Sequence, residues 1–229
     1  MAITLNGNGT IDLGSNGSIA NLAVGGLPDN TVDNGTMADD SVGIAELSAT
    51  STASSSTFLR GDNAWATVTS GLTNAQFWRV HTSMSISSGT QPANNHWEKS
   101  DDHATEGWVG GDITVDGNGR FTFPSTGMWY VKWVPTIYQS GSGVQYFGAQ
   151  IQGSHDDFSS NHTMASLYNH NRNSSGDNYA MSMAECIFDC TDTSTDEVSF
   201  WIHVPATVTL LNSGTANSTW AMFMKLGDT

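Results

Sequence analysis

Carboxylates are the first side chains to test for chemistry, because a glycoside hydrolase needs two of them roughly 5 to 10 Å apart across one bond. Glu98, Asp101, Asp102, Glu106, Asp156, Asp157, Asp196 and Glu197 fall in predicted loops or at strand ends. Solvated loop acids are the expected reading there. Of seven histidines, His96, His103, His155, His162 and His170 lie near Asp and Asn in predicted loops. One histidine per chain could meet others on an assembly axis, and Asp-rich loops could hold calcium, but no ligand spacing repeats, so no metal is assigned. Cys186 and Cys190 are four residues apart, and in an extended strand that puts their Cα atoms roughly 13 Å apart, too far for a bridge. They are expected to be free thiols on one face, acting as small buried hydrophobes. Gly141-Ser-Gly143 is a turn and not a nucleophile elbow. The chemistry-bearing residues therefore predict no enzyme, no cofactor and no metal site.

Binding is the better expectation. Residues 91–108 and 159–178 read as loops that mix aromatic rings with amide and guanidinium donors. Rings stack on the apolar faces of sugars while Asn, Asp and His satisfy hydroxyls. The candidate receptor contacts are Asn94, Asn95, His96, Trp97, Trp108, Tyr168, Asn171 and Arg172; for Trp97 and Trp108 a place in the core is the competing reading. The charge narrows the partners, since 22 acidic against 7 basic residues give a net charge of −15. Unaided binding to nucleic acid or to an anionic membrane is disfavoured. No run of 18 apolar residues would insert in a membrane, and the N-terminus lacks the basic and apolar regions of a signal peptide. Synthesis in a cytoplasm with release by lysis fits that combination.

The elements that must carry these residues read as strands. Phe121, Phe123, Trp129, Val131 and Trp133 alternate at period two around the Pro124 to Gly127 turn. Further strand-like runs are Phe77 to Ser83, Asp112 to Val115, Met128 to Tyr138, Val144 to Gln152, Tyr179 to Phe188, Glu197 to Val204, Thr207 to Leu211 and Thr219 to Leu226. With no amphipathic helix, the fold class is all-β, a jelly-roll β-sandwich. The spacing G-x-F-x-x-P-x-x-G-x-aromatic-x-V over Gly119 to Val131 resembles the central strands of the tumour necrosis factor and complement-type jelly rolls. That resemblance implies an obligate homotrimer. Two strands are apolar on both faces, Tyr179 to Phe188 and Trp220 to Leu226, whereas an outer strand of a monomer should be polar on its free side. The candidate trimer-interface residues are Phe121, Phe123, Met181, Met183, Met222 and Phe223.

Ahead of this head the chain is repetitive. Residues 3 to 26 form three octads opened by Ile3, Ile11 and Ile19, with Gly9, Gly17 and Gly25 in the seventh place. Leu22, Leu27, Val32, Met37, Val42 and Leu47 then recur every five residues, which suits a shaft shared between chains; a short helix over Met37 to Ser48 is the competing local reading. The division expected is a virion-attachment segment (1–26), an extended shaft and linker (27–76) and the head (77–229). Phe58-Leu-Arg-Gly-Asp-Asn-Ala-Trp65 and Leu27-Pro-Asp-Asn-Thr-Val-Asp33 resemble bacteriophage tail-fibre and virion-structural proteins, notably those of marine phages. The resemblance implies a virion fibre, joined to other virion proteins through its N-terminus, whose head binds a host-surface glycan or outer-membrane protein. A capsid decoration or head fibre of the same architecture, and a glycan-degrading tailspike, are the alternatives.

Overall fold

The computed structural model describes residues 47–67, 71–100, 107–141, 143–171, 175–212 and 217–229. The chain divides into two units, Met1–Thr69 and Ser70–Thr229. The octads of residues 1–26, and the five-residue repeat as far as Val42, lie outside the described residues.

In the first unit β1 (Thr57–Leu59) and β2 (Trp65–Thr67) form an antiparallel hairpin. The Phe58-Leu-Arg-Gly-Asp-Asn phrase supplies one strand and the turn. Arg60 N donates to Ala64 O at 2.9 Å, Asn63 N to Arg60 O at 3.0 Å, and Asn63 adopts φ 60°, a left-handed conformation that Asn tolerates better than most residues. Thr50 bridges Ala64 in parallel and Asn63 Nδ2 donates to Ser48 O. The start of the Ser/Thr tract is thereby pinned to the hairpin.

The second unit is built from β3 (Ala75–Val80), β4 (Met84–Ile86), β5 (Gly89–Pro92), β6 (Trp97–Lys99), β7 (Thr114–Val115), β8 (Arg120–Thr122), β9 (Gly127–Val134), β10 (Thr136–Ser140), β11 (Tyr146–Ser154), β12 (His162–His170), β13 (Asp177–Met181), β14 (Ala184–Cys190), β15 (Glu197–Val204), β16 (Val208–Leu210) and β17 (Trp220–Gly227). No helix occurs among the described residues. One sheet runs β14-β9-β17-β3-β6, a second β12-β11-β15-β8-β7 with β5 also on β15, and a third β13-β10-β16-β4. Only β7 to β8 and β11 to β12 stay within one sheet; every other step from β3 to β17 crosses to another, the repeated sheet-switching connectivity of a jelly roll.

The two larger sheets meet through their inward rings. Trp133 of β9 stacks on Phe200 of β15 at 5.1 Å, and Phe121 of β8 contacts Trp78 of β3 and Phe223 of β17 at 5.4 and 5.2 Å. Each such pair contributes about 0.5–1.5 kcal/mol beyond its burial. The alternation read from the sequence is realised on β9, where Trp129, Val131 and Trp133 are fully buried and Met128, Tyr130 and Lys132 face outward. The turn at Pro124 to Gly127 carries the chain from one large sheet to the other. It closes on Gly127, whose φ of 134° and close approach to Gly227 O leave no room for a Cβ.

Three elements differ from the expectation. The head begins before residue 77, because Ala75 and Gln76 pair with Met224 and Phe223. The predicted strands Met128 to Tyr138 and Tyr179 to Phe188 each break, at Pro135 and at Ser182-Met183. Proline gives no ladder donor, and opposite it the β14–β13 partner bends too, so both chains leave the five-stranded sheet together for the four-stranded one. Residues 162–170, predicted as loop, are the nine-residue edge strand β12. An edge strand with solvent on most sides needs no apolar alternation, and only Ala165 packs against the core.

Candidate functional site

The turns after β11 and β14 gather several of the ionisable residues. Asp157 N donates to Thr195 O at 3.0 Å, His155 Nδ1 lies 2.9 Å from Asp196 Oδ1, and the His155 ring stacks on Phe188 at 5.1 Å. Asp196 is buried and accepts from Thr191 N at 2.6 Å and Asp192 N at 3.0 Å. Burial by itself raises its pKa, but the amides of Asp192 and Thr191 and the His155 ring outweigh it and hold the carboxyl below the usual range. Asp156 is pulled down to about 2 by the Ser160 hydroxyl and amide and by Ser154. Glu197, buried beside them, is pushed up by burial and then by Asp157. Asp156 and Asp196 thus act as fixed acceptors that lock two turns. Glu98 is 2.5 Å from Arg79. Among the described residues no three His, Cys, Asp or Glu side chains converge as a cation site; Asp101, Asp102, His103 and Glu106 lie outside them. Cys186 and Cys190 are free, as expected, and burial pushes both thiols up to about 11.

The predicted receptor contacts separate. Trp97 is partly buried and packs against the core, the competing reading: its ring lies on Phe121, Trp133 and Phe200 at 5.1, 5.3 and 5.5 Å, and its Nε1 donates to Ala93 O at 2.7 Å. Asn94 and Asn95 are exposed beside a groove lined by Met84, Ile86 and Pro92. His96 takes φ 62° between β5 and β6 and meets the His81 ring edge-on. Trp108 is exposed, with Lys99 Nζ 4.9 Å from its ring centroid. Asn171 N donates to Gln145 O, and Arg172 lies outside the described residues. Tyr168 is half exposed, on β12 and not in a loop.

The interface prediction also divides. Phe121, Phe123 and Phe223 are 0%, 3% and 0% exposed and contact one another across the core. They have no surface to offer a second subunit, so their assignment is corrected. Of the two apolar faces of β17, one is the core of the sandwich. The other, carrying Trp220, Met222 and Met224, is half buried on the outward side of the five-stranded sheet, where Trp220 stacks on Phe77 at 4.8 Å. Beside it Tyr130 donates to Glu185 at 2.6 Å, and that hydrogen bond pushes the phenol up to about 12.

Met181 and Met183, expected at the interface, are exposed on the subunit, and β12 adds residues that sequence reading missed. Leu167 shares the face of Ala165, which touches the core, yet it is 48% exposed. Met164 enters where the register shifts between Ile151 and Gln152 and is 40% exposed. Leu167, Met181 and Met183 line adjoining grooves along this open edge. Apolar residues inside the polar tract from 159 to 178 were the available signal.

No protein-family model and no curated protein sequence matches the chain. Solved structures to which the fold is similar include murine APRIL, with TM-score 0.48, 12% identity and coverage of 67% of this chain and 98% of the other. Another is the Eiger TNF of S. frugiperda, with TM-score 0.47, 14% identity and coverage of 68% and 93%. The strand order and connectivity make Ser70–Thr229 a jelly-roll β-sandwich of the all-β class.

Proposed function

We propose that this chain is a virion fibre protein whose jelly-roll head forms a homotrimer and adheres to a receptor on the host surface. The observation that carries the reading is a pair of distinct apolar surfaces on one subunit. One is the open edge with Met164, Leu167, Met181 and Met183; the other is the outward sheet face with Phe77, Trp220, Met222 and Met224. Two different surfaces that meet each other form a heterologous contact, which closes only as a ring. The resemblance of Gly119 to Val131 to trimeric jelly rolls supports a ring of three. The virion assignment rests on the Phe58 to Trp65 phrase and on the Ile-led octads. The receptor is a surface glycan or an outer-membrane protein, and three copies of a weak site raise the avidity. Locked carboxylates suit adhesion better than hydrolysis.

Two measurements on the full chain test this. An antibody to the head should decorate intact particles, and the purified protein should label cells of the host. Decoration of the capsid shell without cell labelling would replace the adhesion reading with the decoration one. Release of reducing ends from host polysaccharide, abolished by one carboxylate substitution, would make the chain an enzyme.

A further inference from the structure

Tyr168 lies on the sheet in a way that only glycine permits. A Cβ on Gly148, its cross-strand partner, would stand 2.7, 2.8 and 3.2 Å from ring atoms Cε1, Cδ1 and Cζ. The ring therefore rests flat on backbone, with half of its surface open to solvent. Gln150 Nε2 donates to the Tyr168 hydroxyl at 3.0 Å, and Gln150 is itself held by Gln152, which is anchored to Thr163. The acceptor side of the phenol is thus occupied, and its proton is left to donate outward. Two further rings stand up beside this floor. Tyr146 and His203 are parallel, 5.6 Å apart and 13° from coplanar, while Tyr168 meets His203 at 72° and Tyr146 at 62°. His203 Nδ1 is within 2.6 Å of the Thr90 hydroxyl, which fixes the ring on the next strand. In the next cross-strand row Gln150 is paired with Trp201, and Trp201 with Pro92.

We infer that this corner on the outward face of β5-β15-β11-β12 is a binding site for a neutral glycan, an inference that rests on the adhesive reading and names its receptor class. A pyranose presents an apolar C–H face that stacks on an aromatic floor, and rim hydroxyls that pair with phenol, hydroxyl and amide groups. The absence of charge argues for a neutral sugar. Across β5, β11 and β12 no Asp, Glu, Lys or Arg occurs, and on β15 the sole one is Glu197 at its far end. A sulfated or uronate chain would find no Lys or Arg on these four strands and would approach a protein of net charge −15. A neutral chain meets neither penalty.

The test is a microarray of neutral hexose and N-acetylhexosamine oligosaccharides beside sulfated and uronate-containing ones, probed with the full chain, its Tyr168→Ala and Gly148→Ala variants, and Ser166→Asp. Binding to at least one neutral class is expected, with a loss of tenfold or more in Y168A. G148A, which displaces the ring, should lose a similar amount, and S166D should lose less than either. Binding confined to anionic chains, neutral binding that survives Y168A in a protein of unchanged assembly and circular dichroism, or no glycan binding would each overturn the inference. Y168A needs no backbone change, so it remains decisive if G148A fails to fold. Cell labelling separates the two readings: cells labelled without neutral-glycan binding sink the site and spare adhesion, whereas glycan binding without cell labelling does the reverse.

Discussion

Placing a carboxylate on the open edge is the sharpest test of assembly. Fully burying a Leu or Met side chain contributes about 1.5–3 kcal/mol. Met164, Leu167, Met181 and Met183 are 40%, 48%, 58% and 42% exposed in the free subunit, so covering the remainder contributes about half of that each. Four such residues give about 3–6 kcal/mol per interface. Leu167→Glu removes about 1 kcal/mol of this and adds the desolvation of an unpaired carboxylate, several kcal/mol. The penalty at each interface then matches or exceeds what the open edge contributes to it. Sedimentation equilibrium at about ten micromolar should give the wild type three times 24.4 kDa, about 73 kDa, and L167E a single-chain mass. Ser166→Asp places the same charge on the other side of the same strand and should leave the assembly intact. A wild type that sediments as one chain, or an L167E as large as the wild type, refutes the reasoning.

Four further outcomes are expected. Asp196→Asn should cost about 1.5–3 kcal/mol in urea unfolding, since it removes the charge from several hydrogen bonds; equal stability of the two proteins at pH 7 would rule out the turn lock. Because this carboxyl titrates below its unfolded value of 3.8, its contribution is complete above that pH and fades as pH falls through the folded value, so acidification should destabilise the wild type more steeply than D196N. The Tyr130 phenol, followed by NMR of ring-labelled tyrosine, should titrate near 12 and fall towards 10.0 in Glu185→Gln; its contribution to stability fades as pH rises from 10.0 to about 12. Cys186 and Cys190, at about 11 against an ordinary 9.0, hold a roughly hundredfold smaller thiolate fraction at pH 8, so native alkylation by iodoacetamide should lag far behind that of the unfolded chain. Trp97→Ala should cost about 3–5 kcal/mol, and a loss under 1 kcal/mol would return Trp97 to the surface.

Strands with one buried face were legible because a sandwich core forces alternation on them. Trp129, Val131 and Trp133 on β9 are the clearest case. On β17 both faces are apolar, and only the cross-strand partners of Phe223, Gln76 and Val131, show which face is the core. That choice depends on register between distant segments, which no local pattern carries. Edge strand β12 was hidden for the opposite reason, since solvent imposes no period on it. The candidate contacts fared according to the same rule. Tyr168 is legible by its type alone, while Tyr146, His203 and Gly148 carry no local signal, because the corner they build exists only once β11, β12 and β15 are side by side.

The position of β17 also sets when this head can fold. Strand β17, the latest in chain order among the described residues, lies between β9 and β3, so Met222 has Phe77 on one side and Lys132 on the other. Until that strand arrives, the earliest strand of the sheet has no inner neighbour, and Phe121, Phe123 and Phe200 lack Phe223 as their lid. Pairings of such long sequence separation are slow to form. Completion of the five-stranded sheet therefore waits for the chain as far as residue 227, and a chain stopped short of it would leave Phe121, Phe123 and Phe200 without that cover.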